Sequence, residues 1–125
     1  MKPGDLNDRF GAAYNARNLE ALLALYERDA LLDFGPHGPV RGLPAIGAAL
    51  EPFIALGGKI EYTRRFCMEV GDLALLSVEY RLKDGRAPDG SAVASTGVTL
   101  ELARRQPDGS WKYVIDLPQG ASPGV

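Results

Sequence analysis

Two periodicities divide the chain. From Asp5 to about residue 58, apolar positions recur at three- and four-residue spacing. From Lys59 onward they alternate, so helices are expected first and strands afterwards. Asp5 is a candidate N-cap, and Leu6, Phe10 and Tyr14 follow it on one helical face. Asn18 reads as a second cap and predicts a helix over 19–28, with Leu22, Leu23, Leu25 and Tyr26 as its apolar stripe. Residues 30–34 predict a short strand and 40–42 a brief return strand. The intervening Gly35-Pro36-His37-Gly38-Pro39 cannot sustain a ladder, because proline lacks a donor and glycine invites turns. Pro44 suits the first turn of a third helix. Ile46, Leu50, Phe53 and Ile54 form its buried stripe, Pro52 bends or shortens it, and Gly57-Gly58 ends it.

The second half predicts strands over 59–70, 73–82, 92–105 and 111–117. Gly71-Asp72, a polar loop containing 83–85 and 88–90, and Gln106-Pro107-Asp108-Gly109 separate them. Each helix has one apolar face, and the natural solution lays all three across one face of a strongly curved, mostly antiparallel mixed sheet. That is an α+β cone whose mouth backbone does not fill, and so a pocket. One domain spanning 1–125 is expected, with its core at 5–118 and a Gly/Pro/Ser-rich tail at 119–125.

Composition narrows the function classes. The chain has 125 residues, 46% apolar and 24% charged, ordinary for a globular domain able to bury a core without staples. A net charge of −2 argues against nucleic-acid or anionic-membrane partners. No window approaches a membrane span and no secretory leader is expected at the N-terminus, so a cytoplasmic location is the expectation. Cys67 is the single cysteine, read as a half-buried strand residue, and His37 the single histidine. One of each argues against a structural zinc site. The sequence lacks a Gly-rich phosphate loop, so no cofactor and no metal are expected.

Several stretches together carry a resemblance. They are Phe10-Gly-Ala-Ala-Tyr14-Asn15-Ala16-Arg17-Asn18-Leu19-Glu20-Ala21-Leu22, then Leu25-Tyr26-Glu27-Arg28-Asp29-Ala30, then Val40-Arg41-Gly42-Leu43-Pro44-Ala45-Ile46. The end, from Leu100 to Pro118 with its Gln106-Pro107-Asp108-Gly109-Ser110-Trp111 turn and Asp116-Leu117-Pro118 close, is the most telling. Over roughly 5–118 the chain resembles the NTF2-like superfamily, in its SnoaL-like/DUF4440, ketosteroid-isomerase-like branch. The resemblance implies the cone fold and its pocket. It leaves function open, because that fold hosts isomerases, cyclases, dehydratases, epoxide hydrolases and non-catalytic domains.

Strand alternation, phased on the resemblance, nominates site residues. Val114 and Asp116 fall on the pocket side of the last strand, with Trp111, Tyr113 and Ile115 outside. Ser95, Thr99 and Glu101 face the pocket on the strand before. Ser77, Glu79 and Arg81 face inward on the strand before that, leaving Leu76, Val78 and Tyr80 outside. Glu101 falls where the isomerases place a protonated carboxylic acid. Asp116 and Glu101 are therefore the expected acid/base pair, with Arg81 tuning them. Tyr14, Glu79, Thr99, Val114, Phe34, Phe53 and His37 are the expected substrate-binding residues. Phe10 and Phe34 stand where the isomerases carry their polarising tyrosine and general base, and Asp33 is one residue off that base position. Both departures argue against steroid isomerisation. The reading is a protein that binds a small apolar, oxygenated molecule and acts on it by acid–base catalysis of isomerase, hydrolase or cyclase type. The rival is a non-catalytic ligand-binding or dimerisation module. The stripe Trp111, Tyr113, Ile115, Leu76, Val78 and Tyr80, if outward, predicts a homodimer through the outer sheet face.

Overall fold

The computed structural model describes residues 1–34 and 38–120. Helix α1 (Asp5–Asn15) starts after Gly4, with Asp5 as its first residue rather than its cap. Asn18 does cap α2 (Leu19–Leu23), its side chain accepting from the Ala21 backbone N–H at 3.0 Å. That helix is shorter than its apolar stripe suggests. Leu25 gives its carbonyl to the Tyr113 N–H at 2.8 Å, and strand β1 (Tyr26–Leu32) begins next, earlier than expected. Pairing with a buried strand overrides a weak local helical preference. Strand β2 (Val40–Arg41) and helix α3 (Leu43–Ala55) follow, with Pro44 in the first turn of α3 and Pro52 inside it.

Strands β3 (Lys59–Val70), β4 (Leu73–Arg86), β5 (Ala92–Val98), β6 (Leu100–Arg105) and β7 (Trp111–Leu117) complete the sheet. Its order is β2-β1-β7-β6-β4-β3, with β5 also on β4. The β1–β7 pair is parallel and the others are antiparallel. The expected strand over 92–105 is in fact two. Residues 92–98 pair with the distal half of β4 and 101–104 with its proximal end. Thr99 is the hinge: its N–H donates to the Val78 carbonyl, its hydroxyl accepts from the Val78 N–H, and its carbonyl accepts from the Ser77 hydroxyl. The polar side chain satisfies backbone that the bend takes out of the ladder.

The helices lie on the concave face. Leu6, Phe10, Leu22, Ile46 and Leu50 pack there on Leu76, Trp111 and Tyr113. Leu76, Trp111 and Tyr113 therefore belong to the core, and of the outward stripe expected from the sequence only Ile115 lies on the outer face. Hydrophobic burial, at ~25 cal/mol per Å², draws in the apolar phase of β4. Cys67 is exposed on β3 rather than half-buried. Among the described residues no helix is long and apolar enough to cross a membrane.

Candidate functional site

The cone encloses a cavity of about 770 Å³, within the usual range for small-molecule sites. Phe10, Phe34, Phe53, Tyr62, Tyr80 and Leu82 supply much of its apolar wall, and Asn7, Thr99, Glu101 and Asp116 contribute polar groups.

Sheet register brings the two carboxyls together. Leu76, Glu101 and Asp116 are successive cross-strand partners on β4, β6 and β7, so all three project from the concave face. Directly opposed residues have Cβ atoms roughly 5 Å apart. Glu101 is 3% exposed and Asp116 4%. The Tyr26 hydroxyl donates to Asp116 Oδ2 at 2.5 Å, and the Tyr113 hydroxyl donates to Asn7 Oδ1 at 2.5 Å. Oε1 of Glu101 is buried without a hydrogen-bond partner among the described residues.

Burial raises both acids, because a charge in apolar surroundings loses its hydration. Glu101 is pushed to about 8 by desolvation and then by the Asp116 charge, against the opposing effect of Thr99 and Asn7. Asp116 is pushed to about 7 by desolvation, against the opposing effect of the Tyr26 hydrogen bond. The two carboxyls titrate as a linked pair, and the second proton must leave against an existing negative charge. Near neutrality the pair holds about one proton, the arrangement in which one carboxyl can accept a proton while its neighbour donates a hydrogen bond.

Other expected site residues fall elsewhere. Glu79 and Arg81 are exposed on the outer face, and Val78, Tyr80 and Leu82 line the cavity in their place. The alternation of β4 is the reverse of the one expected, so Arg81 does not tune the carboxyls. Val114 is not among the cavity-lining residues. Ala103 pairs with Tyr113 but Leu102 with Ile115, so Val114 is the extra residue of a bulge. A bulge shifts the two-residue period, which is why Tyr113 and Asp116 share the inner face. Tyr14 is fully buried but does not line the cavity. Its hydroxyl donates to the carbonyls of Phe53 and Gly57 at 3.0 and 2.9 Å, closing the end of α3. Thr99, Phe34 and Phe53 do line the cavity, the two rings meeting edge-on at 5.8 Å. Asp33 does not line it; its backbone N–H donates to the Asp116 carbonyl. His37 lies outside the described residues. Among the described residues, no group of three or more His, Cys, Asp or Glu side chains is placed to hold a metal ion.

Four residues of this site escape the sequence reading: Asn7, Tyr26, Tyr62 and Tyr80. Asn7 carried a signal, being the polar member of the face Asn7, Phe10, Gly11, Tyr14 at i, i+3, i+4 and i+7. Ile60 and Tyr62 alternate with Glu61 and Thr63, which marks them as the inner phase of β3. Tyr26 gave no such signal, because its spacing fits a helix as well as a strand.

Solved structures share the fold. A ketosteroid isomerase-like protein from Erwinia carotovora atroseptica superposes with a TM-score of 0.82 at 18% identity, over 91% of this chain and 89% of that one. An NTF-2 like protein of unknown function from Shewanella oneidensis gives 0.73 at 20% identity, over 90% and 92%. A candidate dehydratase of the NTF2-like family from Streptomyces avermitilis gives 0.74 at 20%, over 91% and 90%. At these identities the likeness speaks to the fold alone. Among curated proteins none matches the chain. A profile of the SnoaL-like domain, however, matches residues 8–113, nearly the whole of the described cone, and on that match the chain belongs to the SnoaL-like family.

Proposed function

We propose that the cavity binds a small, mainly apolar molecule carrying a carbonyl or hydroxyl oxygen, and that Asp116 and Glu101 transfer protons on it without a cofactor. The observation that carries this reading is the pair itself: two buried carboxyls opposed across two strands, one with an unpartnered oxygen, in an otherwise largely apolar cavity. A purely structural pair would cost several kcal/mol of desolvation without return. On a ketone, the Asp116 carboxylate takes a proton from the carbon beside the carbonyl while the Glu101 acid hydrogen-bonds the oxygen that gains charge. Delivery of a solvent-derived proton from the Asp116 carboxyl to the same carbon completes exchange, and delivery of the abstracted proton to another carbon of a conjugated enolate completes isomerisation. Where the next carbon carries a hydroxyl, its C–O bond breaks as the enolate collapses, and the proton now on the Asp116 carboxyl passes to the departing oxygen, so that water leaves and a dehydration is complete.

The test uses 2-acetylnaphthalene in D₂O, following its methyl protons by NMR. The wild type is expected to accelerate their exchange for deuterium, and Asp116→Asn to lower that rate at least about 100-fold. Uptake of the probe without accelerated exchange rejects catalysis and leaves the rival reading, a ligand-binding module.

The homodimer moves to a different set of residues. Met68, Leu75, Leu102, Ile115 and Leu31 are successive cross-strand partners on five strands, on the face opposite Leu76 and Asp116. Met68 is 56% exposed, and the neighbouring Val70 76%. A continuous apolar row across a sheet supports a second copy as its cover. Sedimentation at micromolar concentration is expected to give a dimer that Leu102→Lys dissociates, and a wild-type monomer contradicts it. The exposed Cys67 on the same sheet favours a reducing, cytoplasmic setting.

A further inference from the structure

Three phenols surround the carboxyl pair, and two are committed. Tyr26 donates to Asp116 and Tyr113 to Asn7. The third, Tyr62, lines the cavity from β3 and makes no side-chain hydrogen bond among the described residues. Its ring is nevertheless held in place. On one side the Phe10 ring lies 6.4 Å away, tilted by 56°. On another, α1 presents Gly11, where a Cβ would come within 3.2 Å of two Tyr62 ring atoms. A glycine inside a helix costs up to ~1 kcal/mol against alanine, and here it makes room for this ring. Tyr62 and Tyr80 are cross-strand partners, so both rings extend from the same concave face. Burial, and then the charges of Asp116 and Glu101, raise the Tyr62 phenol, which keeps it protonated and able to donate.

We infer that Tyr62 is a ligand-binding residue whose hydroxyl donates to the same substrate oxygen that Glu101 reaches, giving that oxygen two donors from two strands. The inference rests on the acid–base reading above and sharpens its substrate class. Two converging donors suit a carbonyl, which has two lone pairs and gains charge on proton abstraction, better than an isolated hydroxyl, which must also donate. A fixed ring with a free hydroxyl needs no reorganisation to bind.

The test compares 2-acetylnaphthalene with 2-ethylnaphthalene, which has the same outline without the oxygen. Wild type is expected to prefer the ketone, and Tyr62→Phe to lower that preference about tenfold while binding the hydrocarbon as before. In wild type carrying ¹³Cζ-labelled tyrosine, the Tyr62 signal is expected to move with the ketone and not with the hydrocarbon. That reading does not depend on how the variant folds. An unchanged preference in Tyr62→Phe, or a Tyr62 signal that responds alike to both probes, overturns the assignment. If wild type exchanges the ketone's methyl protons while either of those results holds, only Tyr62 is removed from the site. If neither probe enters the wild type, the cavity reading falls and this inference falls with it.

Discussion

Asp116→Asn is expected to be more stable than the wild type at pH 8 and equal to it near pH 4, while losing proton transfer. Asp116 rises in the folded protein from 3.8 to about 7, and Glu101 from 4.5 to about 8. Raised carboxyls bind more protons folded than unfolded across that interval. Stability is therefore fully present below about pH 4 and falls as pH climbs through 7 and 8. For Asp116 alone, the rise from 3.8 to about 7 sets a ceiling of ~4 kcal/mol on that loss. Asparagine carries no charge to desolvate, and its carbonyl can still accept from Tyr26. Its removal of the Asp116 charge also relieves Glu101. A net gain of about 1–3 kcal/mol at pH 8 is expected, or roughly 4 °C in Tm per kcal/mol. Thermal melts of both proteins between pH 4 and pH 9 check this. A variant less stable at pH 8 than wild type would mean that the Asp116 charge is compensated.

Gly58→Ala is expected to be the most damaging of the loop-glycine substitutions, costing at least ~3 kcal/mol. Its φ is +71°, and an added Cβ would lie 2.2 Å from the Lys83 carbonyl oxygen and 2.7 Å from the Gly85 nitrogen. Both atoms are backbone, so no side chain can swing aside. They sit where β4 bulges between Leu82 and Gly85 and where the Arg86 N–H donates to the Leu56 carbonyl. This junction fixes the end of α3 to the sheet and so holds the cavity open. Gly90→Ala and Gly109→Ala are the controls. Both sites have φ of +85° with nothing within 4 Å, leaving only the left-handed backbone penalty of ~1 kcal/mol. Denaturant melts showing Gly58→Ala no worse than these two would remove the claim.

What the sequence made legible follows from where period alone decides. The cone, its helices and its long strands could be read, because one-faced helices and alternating strands leave few ways to pack. That Glu101 and Asp116 share the inner face follows from the phase the resemblance supplies, because counting from the Gly109 turn alone opposes Glu101 to Ile115. The phase of β4 was legible as well, for Leu76, Val78, Tyr80 and Leu82 alternate without interruption. Placing Glu79 and Arg81 inward set a polar requirement of the site above the stronger demand of the core. Two features were not legible. The bulge at Val114 inserts one residue and brings Tyr113 to the same side as Asp116, and no turn residue announces it. Tyr26 becomes strand only because β7 is there to pair with it, which is tertiary information.

The proton held between Glu101 and Asp116 is central to the proposed chemistry, and ¹³C-carboxyl NMR titration measures it directly. Two carboxyl signals, assigned by Glu101→Gln and Asp116→Asn, are expected to titrate above about pH 6 in two linked steps. The Glu101 step is expected to move down when Asp116 is neutralised. Two independent titrations near pH 4, about the value of exposed carboxylates, would contradict it.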